Sequence, residues 1–210
     1  MSSNALATWA TSAGSIITNM AVPKLIVLSA PSGSGKTTIA REILKRHPDF
    51  IFSISATTRP QRSTEVDGRD YFFLTKEEFD KRVLKSELVE WEEIYGYSYG
   101  SLRSEIERAL HAETSMLFDI DVKGALSIKL QFPDETVLIF VQPPSMEVLN
   151  ERLLNRRTED TETIRRRLDR VPMEMGTAHQ FDAIVVNDDL RRSADEVDAI
   201  ISRSIQSATP

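Results

Sequence analysis

Residues 25–38, L-I-V-L-S-A-P-S-G-S-G-K-T-T, constrain this 210-residue chain more than any other stretch. The run from Leu25 to Ser29 is short and almost wholly apolar, the pattern of a strand buried on both faces of a parallel sheet. Ala30, Pro31, Ser32, Gly33, Ser34, Gly35, Lys36 and Thr37 follow, with Ala where a phosphate-binding loop usually has its first Gly. Beyond them Ile39, Ile43 and Leu44 are spaced to share one face of a helix. Strand, glycine-bearing loop and helix in this order form the context in which such a loop works. Gly33 and Gly35 permit backbone angles and a close approach that a Cβ forbids, so successive N–H groups can converge on phosphate oxygens. The helix N-terminus adds roughly half a positive charge, Lys36 a whole one, and the Thr37 hydroxyl can hold Mg²⁺. Together with Thr38, these residues imply a nucleoside triphosphate site.

The length suits one α/β domain with small inserted subdomains and a sizeable core. A net charge of −6 argues against a general nucleic-acid binder, so positive charge for anionic ligands must be concentrated locally. The absence of Cys removes disulfides, thiolate metal sites and thiol nucleophiles, and places no demand on an oxidising compartment. His47, His111 and His179 are too scattered for metal ligation and are expected at the surface or at helix ends. No apolar run approaches the roughly 18 residues of a membrane span, and a cytoplasmic location without membrane contact is expected. Residues 1–23 carry no charged side chain, and eleven of the first twenty are Ser, Thr or Ala. They lack the basic start of a secretory signal and the Arg of a transit peptide, so a disordered extension is expected, with Met20 a candidate true start. The oligomeric state stays open.

Along the rest of the chain, residues 53–62 read as a polar strand broken at Pro60, and residues 70–74 as a second strand. Thr75-x-x-Glu78 forms a capping box with Leu74 and Phe79 as its hydrophobic staple, predicting a helix from Lys76. A strand over 88–95, a turn-rich loop over 96–100 and a helix over 102–110 follow. The β-rich segment 53–102 therefore looks like an insertion. Residues 115–121 restore the α/β pattern as a buried strand, and 136–141 form the next. A helix with Met146, Leu149 and Leu153 on one face precedes a last strand at 184–186 and a closing helix capped by Ser193-x-x-Glu196.

Three constellations carry chemistry. Asp119 and Asp121, two apart on a strand, point to the same face at its C-terminal end, where open parallel sheets bind ligands and where a carboxylate can hold Mg²⁺. Arg59 and Arg62 with Tyr71 form a second anion-recognising set. Residues 151–170 hold seven Arg against five acids, a local positive surplus inside a negative chain. Arginines closing over a phosphoryl transfer there would stabilise its charge and exclude water.

Taken together, these motifs resemble the guanylate kinase family from about Lys24 to the end. The specific signals are S-x-S-x-T-T-R-x-x-R (53–62), E-V-x-G-x-D-Y (65–71), E-W (90–91), Y-G-S (99–101), D-I-D (119–121) and V-N-D-D (186–189), all in family order. The resemblance implies a three-layer α/β/α fold of the P-loop class with a central parallel sheet. It implies a core of 24–52, 103–149 and 171–210, a GMP-binding subdomain at 53–102 and a helical lid at about 150–170. It implies ATP-dependent phosphorylation of GMP to GDP with Mg²⁺, in purine metabolism and GMP recycling, with dGMP a candidate second acceptor. Ser55, Glu90 and Ser101 would read guanine, with Asp121 contributing to the same nucleoside. Arg59, Arg62, Tyr71 and Tyr99 would bind the GMP phosphate. Lys36, Arg152, Arg156 and Arg167 would be catalytic, the last three as lid arginines. Asn187 would lie near the adenine of ATP, and Thr37 and Asp119 would serve the metal.

The chain departs from the family pattern at three places. Lys123 replaces a Gln, Asn155-Arg156-Arg157 replaces G-R-G, and Ser98 replaces a Tyr. None of these removes a residue assigned to chemistry. The competing readings are a non-catalytic scaffold of the same fold, a monophosphate kinase for another base, and a small GTPase. Lys36, Thr37 and Asp119 argue against the first, and Glu90 with Ser55 and Ser101 against the second. The missing N-K-x-D base motif argues against the third.

Overall fold

β1 (Leu25–Ser29) is buried along its whole length, so both of its faces need cover. The computed structural model describes residues 22–94, 96–155 and 161–206. After β1 come α1 (Lys36–Arg46), β2 (Ile51–Phe52), β3 (Ala56–Thr57), β4 (Phe72–Phe73), α2 (Lys76–Leu84), β5 (Leu88–Ile94), β6 (Tyr97–Leu102) and α3 (Arg103–His111). The second half holds β7 (Met116–Asp119), α4 (Val122–Gln131), β8 (Thr136–Gln142), α5 (Met146–Leu154) and α6 (Thr161–Gly176). A 3-10 turn (Ala178–Gln180), β9 (Ala183–Val186) and α7 (Leu190–Gln206) complete it.

The main sheet is parallel, in the order β2-β7-β1-β8-β9. Leu25 and Val27 face a layer built from Ile106 and Ala109 of α3 and Val122, Ala125 and Ile128 of α4. Ile26 and Leu28 face the opposite layer, formed by Ile39, Ala40 and Ile43 of α1 and Val197 and Ile201 of α7. The two-residue period of the strand thus makes a three-layer α/β/α sandwich. From β1 the chain crosses to the β2 edge, and from β7 it passes to β8 on the other side. The crevice therefore opens over the C-terminal ends of β1 and β7.

A second, four-stranded sheet has the order β4-β3-β6-β5, covered by α2 through fully buried Phe79 against Ala56, Leu88 and Leu102. The capping box is present: Thr75 Oγ1 accepts from Glu78 N, Glu78 Oε2 accepts from Thr75 N, and Leu74 packs on the Phe79 cluster.

Four expectations are corrected. Residues 53–62 do not begin one strand; β2 joins the main sheet, β3 the small one, and 53–55 cross between them. Most of the expected loop 96–100 is strand, because β6 pairs with β5 in an antiparallel hairpin whose turn has Gly96 at φ 82°. β7 ends at Asp119, and Asp121 is the N-cap of α4, a helix over 122–131 that the sequence patterns did not reveal. The closing helix starts at Leu190, with the Asp189 carboxylate accepting from Arg192 N. Ser193 lies inside it, its hydroxyl donating to the Val186 and Asp189 carbonyls. Ser-x-x-Glu imitates a cap, but Asp189 offers one a turn earlier and more residues then bury their apolar face.

Candidate active site

The loop after β1 holds Gly33 at φ 92° and Gly35 at φ 89°, left-handed angles that side chains resist. Gly35 is the N-cap of α1. A Cβ on Gly33 would also press on Leu149 and Leu153 of α5, so the loop needs glycine there for packing as well. Lys36 Nζ donates to the Ile120 carbonyl at 2.5 Å and pairs with Asp119 Oδ1 at 2.7 Å. Burial pushes the Asp119 carboxyl up, but Lys36, a hydrogen bond from Thr37 and the charge of Arg41 outweigh it and hold it below the ordinary value. Asp119 is therefore an anion at neutral pH, beside a hydroxyl.

A cleft of about 430 Å³ runs from this loop to the small sheet. The loop residues from Ala30 through Thr38 line it, and so do Ser55, Tyr71, Glu90, Tyr99, Asp119, Asp121 and Arg167. At its far end Glu90 is buried and accepts a hydrogen bond from the Ser101 hydroxyl at 2.6 Å. Burial pushes the Glu90 carboxyl up to about 7; the Ser101 hydrogen bond opposes this, while the charges of Asp121 and Glu92 add to it. Asp121 spends one oxygen on the cap of α4, accepting from Lys123 N at 2.8 Å and Gly124 N at 3.1 Å.

Arg59 sits over the Tyr71 ring at 5.2 Å, Tyr71 meets Tyr99 edge-on at 6.1 Å, and Glu65 Oε1 accepts from Arg59 NH2 at 2.7 Å. Arg62 NH1 lies 3.9 Å from the same Glu65 Oε1, but its side chain is 73% exposed.

Two arginines from the α5–α6 hairpin reach the loop. Arg167 NH1 donates to Ser32 Oγ at 2.6 Å. Arg152 donates to the Ser34 carbonyl at 3.4 Å and the Asn187 carbonyl at 3.1 Å, bracing the loop from behind. Asn187 Nδ2 donates to the same Ser34 carbonyl at 2.6 Å, so its amide is committed to the loop. Arg156, Arg157 and most of the expected lid tip lie outside the described residues.

Three residues went unassigned in the sequence and belong to this region. Arg170 and Glu174 of α6 line the cleft, and Glu92 holds Arg170. The signal was present: Glu92 shares a strand face with Glu90, and Arg170 with Glu174 is an i, i+4 pair.

Comparison with known proteins bears on what this cleft is. The family model described as guanylate kinase matches residues 22–204. A guanylate kinase of Chlorobium luteolum is 47% identical over 180 residues, 86% of this chain and 90% of the relative. One of Salinibacter ruber is 51% identical over 173 residues, 82% of this chain and 92% of the relative. Among solved structures, guanylate kinase from Anaplasma phagocytophilum superposes with a TM-score of 0.72 at 30% identity, covering 88% of this chain and 87% of that one. The chain belongs to the guanylate kinase family.

Proposed function

We propose that this protein transfers the γ-phosphoryl group of ATP to GMP, giving ADP and GDP. The carrying observation is a buried carboxylate–hydroxyl pair, Glu90 with Ser101, in the same cleft as a phosphate-binding loop. A carboxylate at Glu90 accepts from the N1–H and exocyclic amine of guanine together. Adenine offers no such donor pair and leaves the charge unpaired, so discrimination on the order of 10⁴–10⁵ is available.

In this reading 53–102 is the monophosphate-binding subdomain and about 150–170 the lid. Ser55, Glu90, Ser101 and Asp121 face the nucleoside, and Arg59, Tyr71 and Tyr99 its phosphate, with Arg62 turning inward to join them. The loop N–H groups and Lys36 hold the ATP phosphates. Arg167, Arg152 and Arg156 stabilise charge as it spreads over the transferring group, with Asn187 supporting the adenine end. The acceptor phosphate is already anionic, so no general base is needed; alignment and charge stabilisation suffice.

The Thr37 hydroxyl and ionised Asp119 are hard oxygen donors in contact with each other, a set that suits Mg²⁺ held between protein and phosphates. When bound, Mg²⁺ supplies further neutralisation of phosphate charge. No helix among the described residues is long and apolar enough to cross a membrane.

ADP release measured with ATP and Mg²⁺ against GMP, dGMP, AMP, UMP and CMP tests the assignment. Turnover confined to guanine acceptors is expected. Equal rates with AMP, or none with GMP, would remove it.

A further inference from the structure

The proposed reaction uses Glu90 on β5 and Arg167 on α6, but not the charge cluster between those two elements. Glu92 lies two residues beyond Glu90, hence on the same face of β5. Arg170 NH2 donates to both of its oxygens at 3.2 Å, and Lys123 Nζ pairs with Oε1 at 3.2 Å. Arg170 Nε also meets Glu174 Oε1, one turn further along α6, at 3.4 Å. The Glu92 and Arg170 side chains are 14% and 24% exposed, against 63% for Lys123. The Arg170–Glu92 pair is thus shielded from solvent, with Lys123 touching it from outside. Glu174 is buried, and its Oε1 contact gives the Arg170 guanidinium a second carboxylate partner. Strand β5, helix α4 and helix α6 meet here, although 78 residues separate Glu92 from Arg170.

Arg167 and Arg170 are neighbours on one side of α6 at i, i+3 spacing. The first reaches Ser32 in the phosphate loop, and the second reaches the strand that carries Glu90. Helix α6 therefore spans the cleft from the phosphate-loop side to the Glu90 side. We propose that the Arg170–Glu92 ion pair is a clasp that sets the base-reading strand against the helix carrying Arg167. Arg170 then serves the reaction as a positioning residue and not as a group on the phosphates. The departure at Lys123 also finds a place: its cation is absorbed by Glu92 instead of entering the cleft.

The inference rests on the GMP kinase reading, and a double-mutant cycle separates the two. Turnover of the wild-type protein with GMP tests the reading alone. Arg170→Met and Glu92→Gln are each expected to lower kcat/KM for GMP about tenfold, chiefly through KM, with KM for ATP within about twofold. The double variant is expected to match the poorer single one, because the same contact has been lost twice. Arg170→Lys restores most of the loss. Losses that multiply to about a hundredfold would overturn the clasp, because Arg170 would then act on substrate directly. Single variants within twofold of wild type would overturn it too. If Arg170→Met fails to fold, the neutral polar Arg170→Gln with Glu92→Gln closes the same cycle.

Discussion

Gly124, in the first turn of α4, lies directly against the Glu90 carboxylate: a Cβ built on it would come 2.8 Å from Glu90 Oε2 and 3.0 Å from Cδ. The Glu90 carboxylate is thus backed by a helix that leaves no room for a side chain at that point unless the carboxylate moves.

Gly124→Ala should separate stability from substrate use. Alanine favours a helix interior by about 1 kcal/mol over glycine, so folding is expected to hold or improve. The added methyl must displace the Glu90 carboxylate from Ser101, and KM for GMP is expected to rise about tenfold. A thermal melt beside the two Michaelis constants checks this. A fall in melting temperature with KM unchanged would contradict it.

In the proposed reading Glu90 accepts both guanine donors only when ionised, and burial holds its carboxyl up to about 7, with Asp121 and Glu92 adding to the effect. The kcat/KM for GMP is therefore expected to rise with pH through about 7, while KM for ATP stays flat. Folding stability carries the opposite slope. The unfolded carboxyl releases its proton near 4.5 and the folded one near 7. Between those values folding takes up a proton, and stability falls as pH rises, by on the order of 3 kcal/mol. Glu90→Gln should abolish both slopes, which urea melts and rate profiles at several pH values would read.

Ser101→Ala removes the larger of the two hydrogen bonds, one from the Ser101 side chain and one from its backbone, that draw the Glu90 carboxyl down. The rising limb of the GMP profile is expected to move to higher pH, and activity at pH 9 to recover more than activity at pH 7. Equal losses at both would assign Ser101 a purely steric role.

Lys36→Ala leaves the Asp119 carboxylate without its cation at 2.7 Å. The unpaired group costs about 1–3 kcal/mol, and the protein is expected to remain folded. Turnover should fall about 10³-fold through the lost charge on the ATP phosphates. Unchanged turnover would remove Lys36 from the mechanism.

Asn187→Ala deletes the closer of the two donors to the Ser34 carbonyl inside the phosphate loop, the other being Arg152. KM for ATP is expected to rise about tenfold and KM for GMP less than twofold, because the loop serves the donor nucleotide. The two constants measured in one series decide it.

Much of this was legible because it is written in short-range patterns. The apolar run of β1, the glycines before α1 and the Thr75–Glu78 box each act within a few residues. The structure contains each of them where those patterns place them. The closing helix shows the weakness of the same method: Ser193-x-x-Glu196 fits the capping pattern, yet Asp189 takes the cap. Local chemistry allowed both, and burial of Ser193 and Ala194 chose between them.

The sequence by itself determined the strand–loop–helix order, the family and the residue types available to the cleft. The local rules of backbone angle and side-chain period operate inside single elements. What only the tertiary structure decided is how distant elements meet. It split 51–57 between two sheets, turned Asp121 from a strand-end carboxylate into a helix cap, and set Gly124 behind Glu90. It also joined Glu92 to Arg170 across 78 residues. The physical reason is that burial and long-range contact depend on the packing of the whole chain. The position of the Glu90 carboxyl near 7 follows first from its lost water, with the charges of Asp121 and Glu92 adding to it.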